Sequence, residues 1–304
     1  MSSFKVRLIA STDDDLKSYF IETIAKHKWR PGLEDINLYF AFDQPSAFVG
    51  LLDGKPIGTM AIHKYNDSFC MLSGFRVEEE FRGKGYGMQL YRTALKTLPP
   101  SCNIGASSID YMVEKYKERS GFQEHWAVLT YDVQLPTASE ILNRLPCTDL
   151  YCTKSIDQVD AQALFNYDTF VFGHHRHKFL ETFLHARGSH VRVAINKEGV
   201  IVGYTAARVA FIKEEGYRLG PLYADSPEIA QVLLKALFED VLERGMSSST
   251  SVWLDIPVGI NVEANKLMEL LNGKVAFNMT FMTTNGIPKG RFNNWFAVSS
   301  VEFG

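Results

Sequence analysis

The segment Phe75-Arg76-Val77-Glu78-Glu79-Glu80-Phe81-Arg82-Gly83-Lys84-Gly85-Tyr86-Gly87 decides the fold, and it runs into an amphipathic stretch from Met88 to Leu98. The apolar residues before the turn predict the end of a β-strand, and the periodic apolar face after it predicts a helix. In the glycine-rich turn between them, backbone N–H groups converge at a helix N-terminus, where the helix dipole adds positive potential. This arrangement predicts an anion-binding site, with an ordinary strand-to-helix turn as the alternative.

The glycine spacing separates this turn from two common phosphate-binding loops. A dinucleotide fingerprint needs G-x-G-x-x-G, but a pattern begun at Gly83 places Met88 in the third glycine position. A nucleotide P-loop needs Lys and then Ser or Thr after its last glycine, and the residues from Tyr86 to Met88 supply neither. A nucleotide-dependent dehydrogenase is therefore nearly excluded.

The pattern that remains is Arg/Gln-x-x-Gly-x-Gly, which stands here as Arg82-Gly83-Lys84-Gly85-Tyr86-Gly87. It resembles the cofactor signature of the GNAT superfamily of acyl-CoA-dependent N-acetyltransferases. The resemblance implies that the anion is the pyrophosphate of coenzyme A and that acetyl-CoA is the co-substrate.

Length and composition are those of an ordinary globular protein with room for two domains. The chain has 304 residues, 46% of them hydrophobic and 22% charged, with a net charge of -3. This charge gives no reason to expect a nucleic acid or an anionic membrane as a partner. The chain shows neither an apolar run of about 20 residues nor a signal-peptide pattern at its start, so we expect a cytoplasmic protein without membrane association. Nothing in the sequence sets an oligomeric state.

The four cysteines form no C-x-x-C pair, which favours small buried residues in a reducing compartment over a disulfide or zinc framework. They are Cys70, Cys102, Cys147 and Cys152.

The first half has the strand and helix order of a GNAT domain, and the resemblance covers residues 4 to about 136. We expect an α/β fold with a mixed sheet, in which residues 1–140 form a GNAT acetyltransferase domain that binds acetyl-CoA.

The second half repeats the first in degraded form. The segment Asp53–Gly58 aligns with Glu198–Gly203 at a constant offset of 145 positions, and both read as a turn, a strand and an in-strand glycine. Where the first copy has its glycine turn, the second has Tyr223–Glu228, with two carboxylates and a proline that lacks an N–H. We therefore predict that residues 150–304 are a divergent GNAT-like domain without a cofactor loop. This half also contains Tyr167-Asp168, Phe172-Gly173, Arg176, Gly220-Pro221-Leu222 and the closing segment Ser299–Gly304. With these residues it resembles the C-terminal domain of tandem YitH-type proteins, and the whole chain resembles an uncharacterised nematode family.

The GNAT resemblance implies which residues contact the cofactor. Backbone groups at the strand end would hold the pantetheine and the thioester carbonyl, while turn amides and two basic side chains would face phosphate. The predicted cofactor-binding residues are Phe75, Arg76, Val77, Arg82, Gly83, Lys84, Gly85, Tyr86, Gly87 and Met88. We predict no metal, because the run His174–His177 lacks ligand spacing and contains an arginine.

Acid and base residues are harder to place. GNAT enzymes often carry Tyr-x-x-x-Gly-Phe, but the tyrosine position of that pattern holds Lys117 here. We therefore predict Tyr116, one residue earlier, as the acid that protonates the leaving thiolate. A packing role is the alternative for Tyr116, and Tyr111 is a weaker candidate for the acid. Many family members place a carboxylate on the strand before the turn, and residues 69–77 contain none. As base we predict His63, with Asp67 as the alternative.

The resulting functional prediction is an N-acetyltransferase that passes an acetyl group to a primary amine of a small molecule or flexible peptide by direct attack. The alternative is a catalytically weak acyl-CoA-binding or scaffold protein.

Overall fold

A computed structural model describes residues 3–42, 46–145, 149–247 and 249–304. The described first half contains six strands and five helices. The strands are β1 (Phe4–Leu8), β2 (Ala47–Leu52), β3 (Lys55–Lys64), β4 (Phe69–Val77), β5 (Asn103–Ser108) and β6 (Gln123–Gln134). The helices are α1 (Asp14–Lys26), α2 (Asp35–Leu38), α3 (Tyr86–Leu95), α4 (Asp110–Ser120) and α5 (Leu135–Asn143).

The described second half repeats this order and adds a short last strand. Its strands are β7 (Tyr151–Lys154), β8 (Ser189–Asn196), β9 (Ile201–Val209), β10 (Tyr217–Ala224), β11 (Ser251–Pro257), β12 (Lys274–Thr283) and β13 (Trp295–Ala297). Its helices are α6 (Ala161–Phe172), α7 (His177–Leu184), α8 (Pro227–Arg244) and α9 (Val262–Leu270).

All these strands belong to one continuous sheet, in the order β1-β2-β3-β4-β5-β12-β6-β11-β10-β9-β8-β7, with β13 paired to β10. The pairs β4–β5 and β10–β11 are parallel and the other pairs are antiparallel. The predicted α/β fold with a mixed sheet and two tandem copies is therefore confirmed.

The two halves exchange a strand. The second half's β12 pairs with β5, and the first half's β6 pairs with β11, so each copy is completed by a strand of the other. The exchanged strands β6 and β12 also pair with each other at the centre of the sheet. The sequence repeat shows two similar units but carries no information about which unit each last strand joins.

The in-strand glycines of the repeat occupy equivalent positions. A Cβ at Gly58 would lie 2.7 Å from the carbonyl oxygen of Arg76, and one at Gly203 would lie 2.8 Å from that of Tyr223. Both glycines thus allow the third strand of a copy to approach the fourth. The repeated turn, strand and glycine predicted from the sequence are confirmed.

A buried ion pair connects the halves, and another lies within the second half. Arg208 on β9 donates from Nε and Nη2 to the two oxygens of Asp35 on α2, at 2.9 and 3.1 Å. Within the second half, Arg176 makes an equally buried two-bond contact with Asp168, at 2.9 and 2.7 Å, and donates to Ser299 Oγ at 2.9 Å. The run His174–His177 therefore lies at the start of α7, and its arginine, Arg176, is held in a buried ion pair.

The chain ends in a short strand and a turn. Only Trp295–Ala297 is a strand, because the following residues turn back on themselves, with Ser299 N–H donating to Gly304 O and Gly304 N–H donating to Ser300 O, both at 3.0 Å. The expectation for Cys70 and Cys102 fits their burial as free thiols, whereas Cys152 is exposed and Cys147 lies outside the described residues. Within the described ranges, no helix is long and apolar enough to cross a bilayer.

Candidate active site

Strands β4 and β5 separate to form a wedge. Their parallel pairing begins at Phe69 and Asn103 and ends at Leu72 and Ala106, although β4 continues to Val77. A bulge accompanies the divergence, since the pairing of β3 with β4 shifts register beyond Thr59, which donates its hydroxyl to Gly74 O at 2.8 Å. The backbone of residues 73–77 therefore has no strand partner on the side that faces β5.

A cavity of about 370 Å³ lies at this wedge and is lined by both halves of the chain. The first half contributes the diverging ends of β4 and β5, one side of α4 and the loop after α1, which includes Trp29 and Arg30. The second half contributes Arg218, Phe277, Met279, Val301 and Glu302.

The glycine turn leads from the wedge into α3. Gly83 and Gly85 have φ of 75° and 84°, and a Cβ at either would meet nothing within 4 Å. The left-handed backbone, rather than lack of space, therefore favours glycine here. The N–H groups from Gly83 to Met88 donate to no acceptor in the described chain, whereas Gln89 N–H begins the helical pattern at Gly85 O. Six free amides at a helix start fit a diphosphate.

The basic side chains beside the turn also hold its shape. Arg82 donates from Nε to Val77 O, and Lys84 donates from Nζ to Glu80 O, both at 2.9 Å. Arg76 and Arg82 line the cavity, and burial, followed by the charge of Arg82, lowers the pKa of Arg76. An anion at this end would relieve that repulsion.

Several predicted cofactor-binding side chains pack elsewhere. The ring of Tyr86 packs against Phe4, with ring centroids 4.7 Å apart and the planes tilted by 34°, and Met88 packs against the core beneath α3. Because the side chains of Tyr86 and Met88 pack away from the turn, these residues can contribute only their backbone amides to an anion site. Phe75 and Val77 do line the cavity. This position is consistent with a role of the strand-end backbone in holding the cofactor, which stays a prediction.

Tyr116 lies in the cavity wall. Helix α4 directs Tyr116 inward, against Phe122 at 5.1 Å, while Lys117 is exposed and bridges Glu114 and Glu124 at 2.9 and 2.8 Å. Burial raises the pKa of Tyr116, so its hydroxyl stays protonated at neutral pH. The one-residue offset from the family pattern therefore does not remove the hydroxyl from the cavity.

The predicted bases lie away from the cavity. His63 is fully buried, with Nε2 at 2.7 Å from Ser73 Oγ, and burial lowers its pKa to about 3. Asp67 is exposed and paired with Lys64 at 2.7 Å. Ser73 does line the cavity, so any role of His63 would pass through that hydroxyl.

Glu302 is a candidate that the sequence analysis missed. It is the only acidic residue among the described residues lining the cavity, and it is 6% exposed. Its Oε1 makes no hydrogen bond to any described residue. Burial raises its pKa, against the opposing charge of Arg218. The closing segment Ser299–Gly304 carries part of the resemblance to YitH-type proteins, but that resemblance gave Glu302 no role, because only the fold of the C-terminal tail brings it to this wedge.

The equivalent wedge of the second half is filled by the chain itself. Strands β10 and β11 pair from Tyr217 to Leu219, after which β13 takes the next positions along β10. At the start of α8, Ser226 accepts from Ile229 N–H at 3.4 Å and Pro227 has no N–H. Among its described residues, this half thus has neither an open wedge nor a run of free turn amides like that of the first half.

Comparison with known proteins agrees with this geometry. A model of the acetyltransferase (GNAT) family matches residues 11–115, and a model of an acetyltransferase (GNAT) domain matches residues 164–297. The chain belongs to the GNAT superfamily of acyltransferases and carries two GNAT domains.

Relatives extend over most of the chain. Holothin acyltransferase of a Pseudoalteromonas strain is 24% identical over 281 residues, covering 91% of this chain and 87% of the relative. An uncharacterized protein of Caenorhabditis elegans is 24% identical over 180 residues, 59% of this chain and 57% of that protein. The nematode assignment itself stays a prediction.

Solved structures share the whole fold at low identity. A putative acetyltransferase from Pyrococcus horikoshii superimposes with a TM-score of 0.76 at 16% identity, over 99% of this chain and 96% of that one. A tandem GNAT protein from the clavulanic acid biosynthesis pathway gives a TM-score of 0.70 at 15% identity, over 94% of this chain and 100% of that one.

Within the described ranges, no three His, Cys, Asp or Glu side chains are grouped so that they could hold a metal ion.

Proposed function

We propose that the chain is an acetyl-CoA-dependent N-acetyltransferase that acetylates a primary amine of a small molecule or flexible peptide by direct attack in a ternary complex. The observation that carries the proposal is the cavity at the β4–β5 wedge, whose lining includes Tyr116 and also Arg82, the residue directly before the free amides of Gly83 to Met88. The relative named holothin acyltransferase supports acyl transfer to a small molecule.

The arrangement supplies the elements that thioester aminolysis needs. The turn amides from Gly83 to Met88 would bind the pyrophosphate, and the unpaired backbone of residues 75–77 would orient the pantetheine. Tyr116 would donate its hydroxyl proton to the thiolate that leaves when the carbon–sulfur bond breaks.

The test offers the full chain acetyl-CoA with a panel of arylalkylamines, polyamines, amino acids, aminosugars and lysine peptides, and follows thiol release. An enzyme gives release that depends on one class of acceptor and saturates with it. Tight coenzyme A binding without acceptor-dependent release across the panel would favour the alternative, a catalytically weak acyl-CoA-binding or scaffold protein.

A further inference from the structure

We infer that Glu302, supplied by the second half, binds the acceptor's ammonium group and takes its proton, and that the acceptor is a monoamine with an apolar body. This inference rests on the proposed function, which it completes with a base and a substrate class.

The C-terminal tail is held firmly enough to place one carboxyl group. Strand β13 fills the second wedge, and Val298 N–H donates to Asp255 O at 3.0 Å as the chain leaves it. Val301 N–H then donates to Asp255 Oδ2 at 3.3 Å, and the ring of Phe303 packs on His63 at 4.7 Å. Glu302, between these two anchors, lines the first half's cavity.

The surroundings leave this carboxylate able to accept a proton. The ionisable groups that face it are Arg218 on β10, Asp255 on β11, and Asp35 and Tyr39 from the α2 region. Arg218 already pairs with Asp255, so it does not neutralise Glu302 fully. Burial and the two aspartates raise the pKa of Glu302, which makes it a stronger base than an exposed glutamate.

The charges of the cavity restrict the acceptor. One acid stands against six basic residues in the described lining, which are Lys28, Arg30, Arg76, Arg82, Lys115 and Arg218. A second ammonium group on the acceptor would meet repulsion, so polyamines and lysine-rich peptides are disfavoured. Trp29, Phe277 and Met279 offer apolar contact instead.

In the proposed reaction, Glu302 accepts one proton and Tyr116 donates one. The Glu302 carboxylate takes a proton from the ammonium and later releases it to solvent. The neutral amine attacks the thioester carbonyl, so a carbon–nitrogen bond forms and the carbon–sulfur bond breaks. Tyr116 protonates the leaving thiolate and is reprotonated at the expense of the second nitrogen proton.

The test compares the full-length wild type with Glu302→Gln, using acetyl-CoA and an arylalkylamine between pH 6 and pH 10. At pH 7 we expect kcat/KM to fall by about 10²–10⁴-fold, the usual contribution of a positioned base. Because the variant must wait for amine that is already neutral, its rate rises with pH toward the amine's own pKa of about 10, and its deficit shrinks at least about tenfold between pH 7 and pH 9. Acetyl-CoA affinity stays unchanged.

The matched control is Glu263→Gln, since Glu263 is an acid paired with Lys266 on the surface of α9. It should retain wild-type kinetics at every pH. A Glu302→Gln deficit that is absent, or constant across the pH range, would overturn the role of base.

A separate measurement keeps this inference distinct from the proposed function. If the wild type releases no thiol with any amine, acetyl transfer fails, and calorimetric binding of the arylalkylamine to the acetyl-CoA-saturated protein decides about Glu302. Binding that weakens at least about tenfold in Glu302→Gln, with spermidine bound more weakly than the arylalkylamine, supports the inference. Equal binding by both proteins, or none by the wild type, overturns it.

Discussion

At Gly85 a left-handed backbone conformation shapes the glycine turn before α3. Its φ of 84° is shared with Gly199, whose φ is 81°, and a Cβ at either position would meet nothing within 4 Å. The two glycines differ in what surrounds them, because Gly85 is the N-cap of α3 and Gly199 lies in the β8–β9 turn of the second half. Substituting each glycine in turn therefore separates the effect of backbone strain, which both variants share, from the loss of an anion site, which only the Gly85 variant should show.

Gly85→Asp should weaken acetyl-CoA binding at least about 100-fold, which corresponds to about 2.8 kcal/mol. The new carboxylate would repel the pyrophosphate, while the left-handed backbone costs only about 1 kcal/mol of stability. Isothermal titration and thermal unfolding measure the two effects. Gly199→Asp should show the same small loss of stability with unchanged affinity. Normal binding by Gly85→Asp, or its unfolding, would mean that the turn does not bind the anion.

Tyr116→Phe should lower kcat about 10²-fold, with little change in acetyl-CoA affinity, if its hydroxyl protonates the thiolate. The raised pKa keeps that hydroxyl protonated across the working pH range, so no loss of activity from its ionisation is expected near neutral pH. Tyr111→Phe on the same helix tests the weaker candidate acid, whose side chain also lines the cavity but is 66% exposed. Steady-state kinetics with both variants decide, and equal kcat values for Tyr116→Phe and the wild type would remove Tyr116 as the acid.

At the scale of the elements, the approach of β3 to β4 shapes the wedge. The Cβ of an alanine at Gly58 would lie 2.7 Å from Arg76 O, within the part of β4 that diverges from β5. Gly58→Ala should therefore both destabilise the fold by about 1–3 kcal/mol and reduce acetyl-CoA affinity, because backbone near the cofactor must shift. Gly203→Ala meets Tyr223 O at 2.8 Å in the closed second wedge and should lose stability alone. Chemical denaturation and titration of both variants test the difference, and equal affinity losses would contradict it.

Local pattern sufficed for the elements around two turns, because their signals lie within a few residues. The glycine turn followed by an apolar helical face predicted α3, which begins at Tyr86, and the turn at Gly54 predicted the strand that follows it, β3. The strand exchange could not be predicted, because no local feature of β6 or β12 indicates which copy's strands it pairs with. Pairing across more than a hundred residues is set by the whole sheet.

Some residues of the candidate site can also be predicted from local sequence, whereas others are placed only by the whole fold. The turn amides and Tyr116 could be proposed from a contiguous motif and a helix, and their roles stay predictions. His63 was expected near the cavity from its strand alone, but its face of β3 is covered by Tyr39 and Phe42, with ring centroids at 5.0 and 4.9 Å. Glu302 reaches the cavity only through the turn of the tail, which no local pattern encodes.

At the scale of the whole molecule, only one of the two copies offers a wedge. Strand β13 fills the second, and Pro227 removes an amide at the start of α8. We therefore expect isothermal titration of the full chain to give one acetyl-CoA per chain. Gly85→Asp should abolish that single binding event, whereas two equivalent sites in the wild type would contradict the assignment.

The exchanged strands should make the two halves unfold together. Removing either half would take β12 from β5 or β6 from β11 and would leave the buried Arg208–Asp35 pair without one partner, which costs about 3–5 kcal/mol. We expect scanning calorimetry to show one transition with equal calorimetric and van't Hoff enthalpies. Acetyl-CoA at about 100 times its Kd should stabilise the entire transition by about 2.7 kcal/mol, including signals from Trp253 and Trp295 in the half that lacks the cofactor turn. Two transitions, of which acetyl-CoA shifts only one, would show that the shared sheet does not couple the halves.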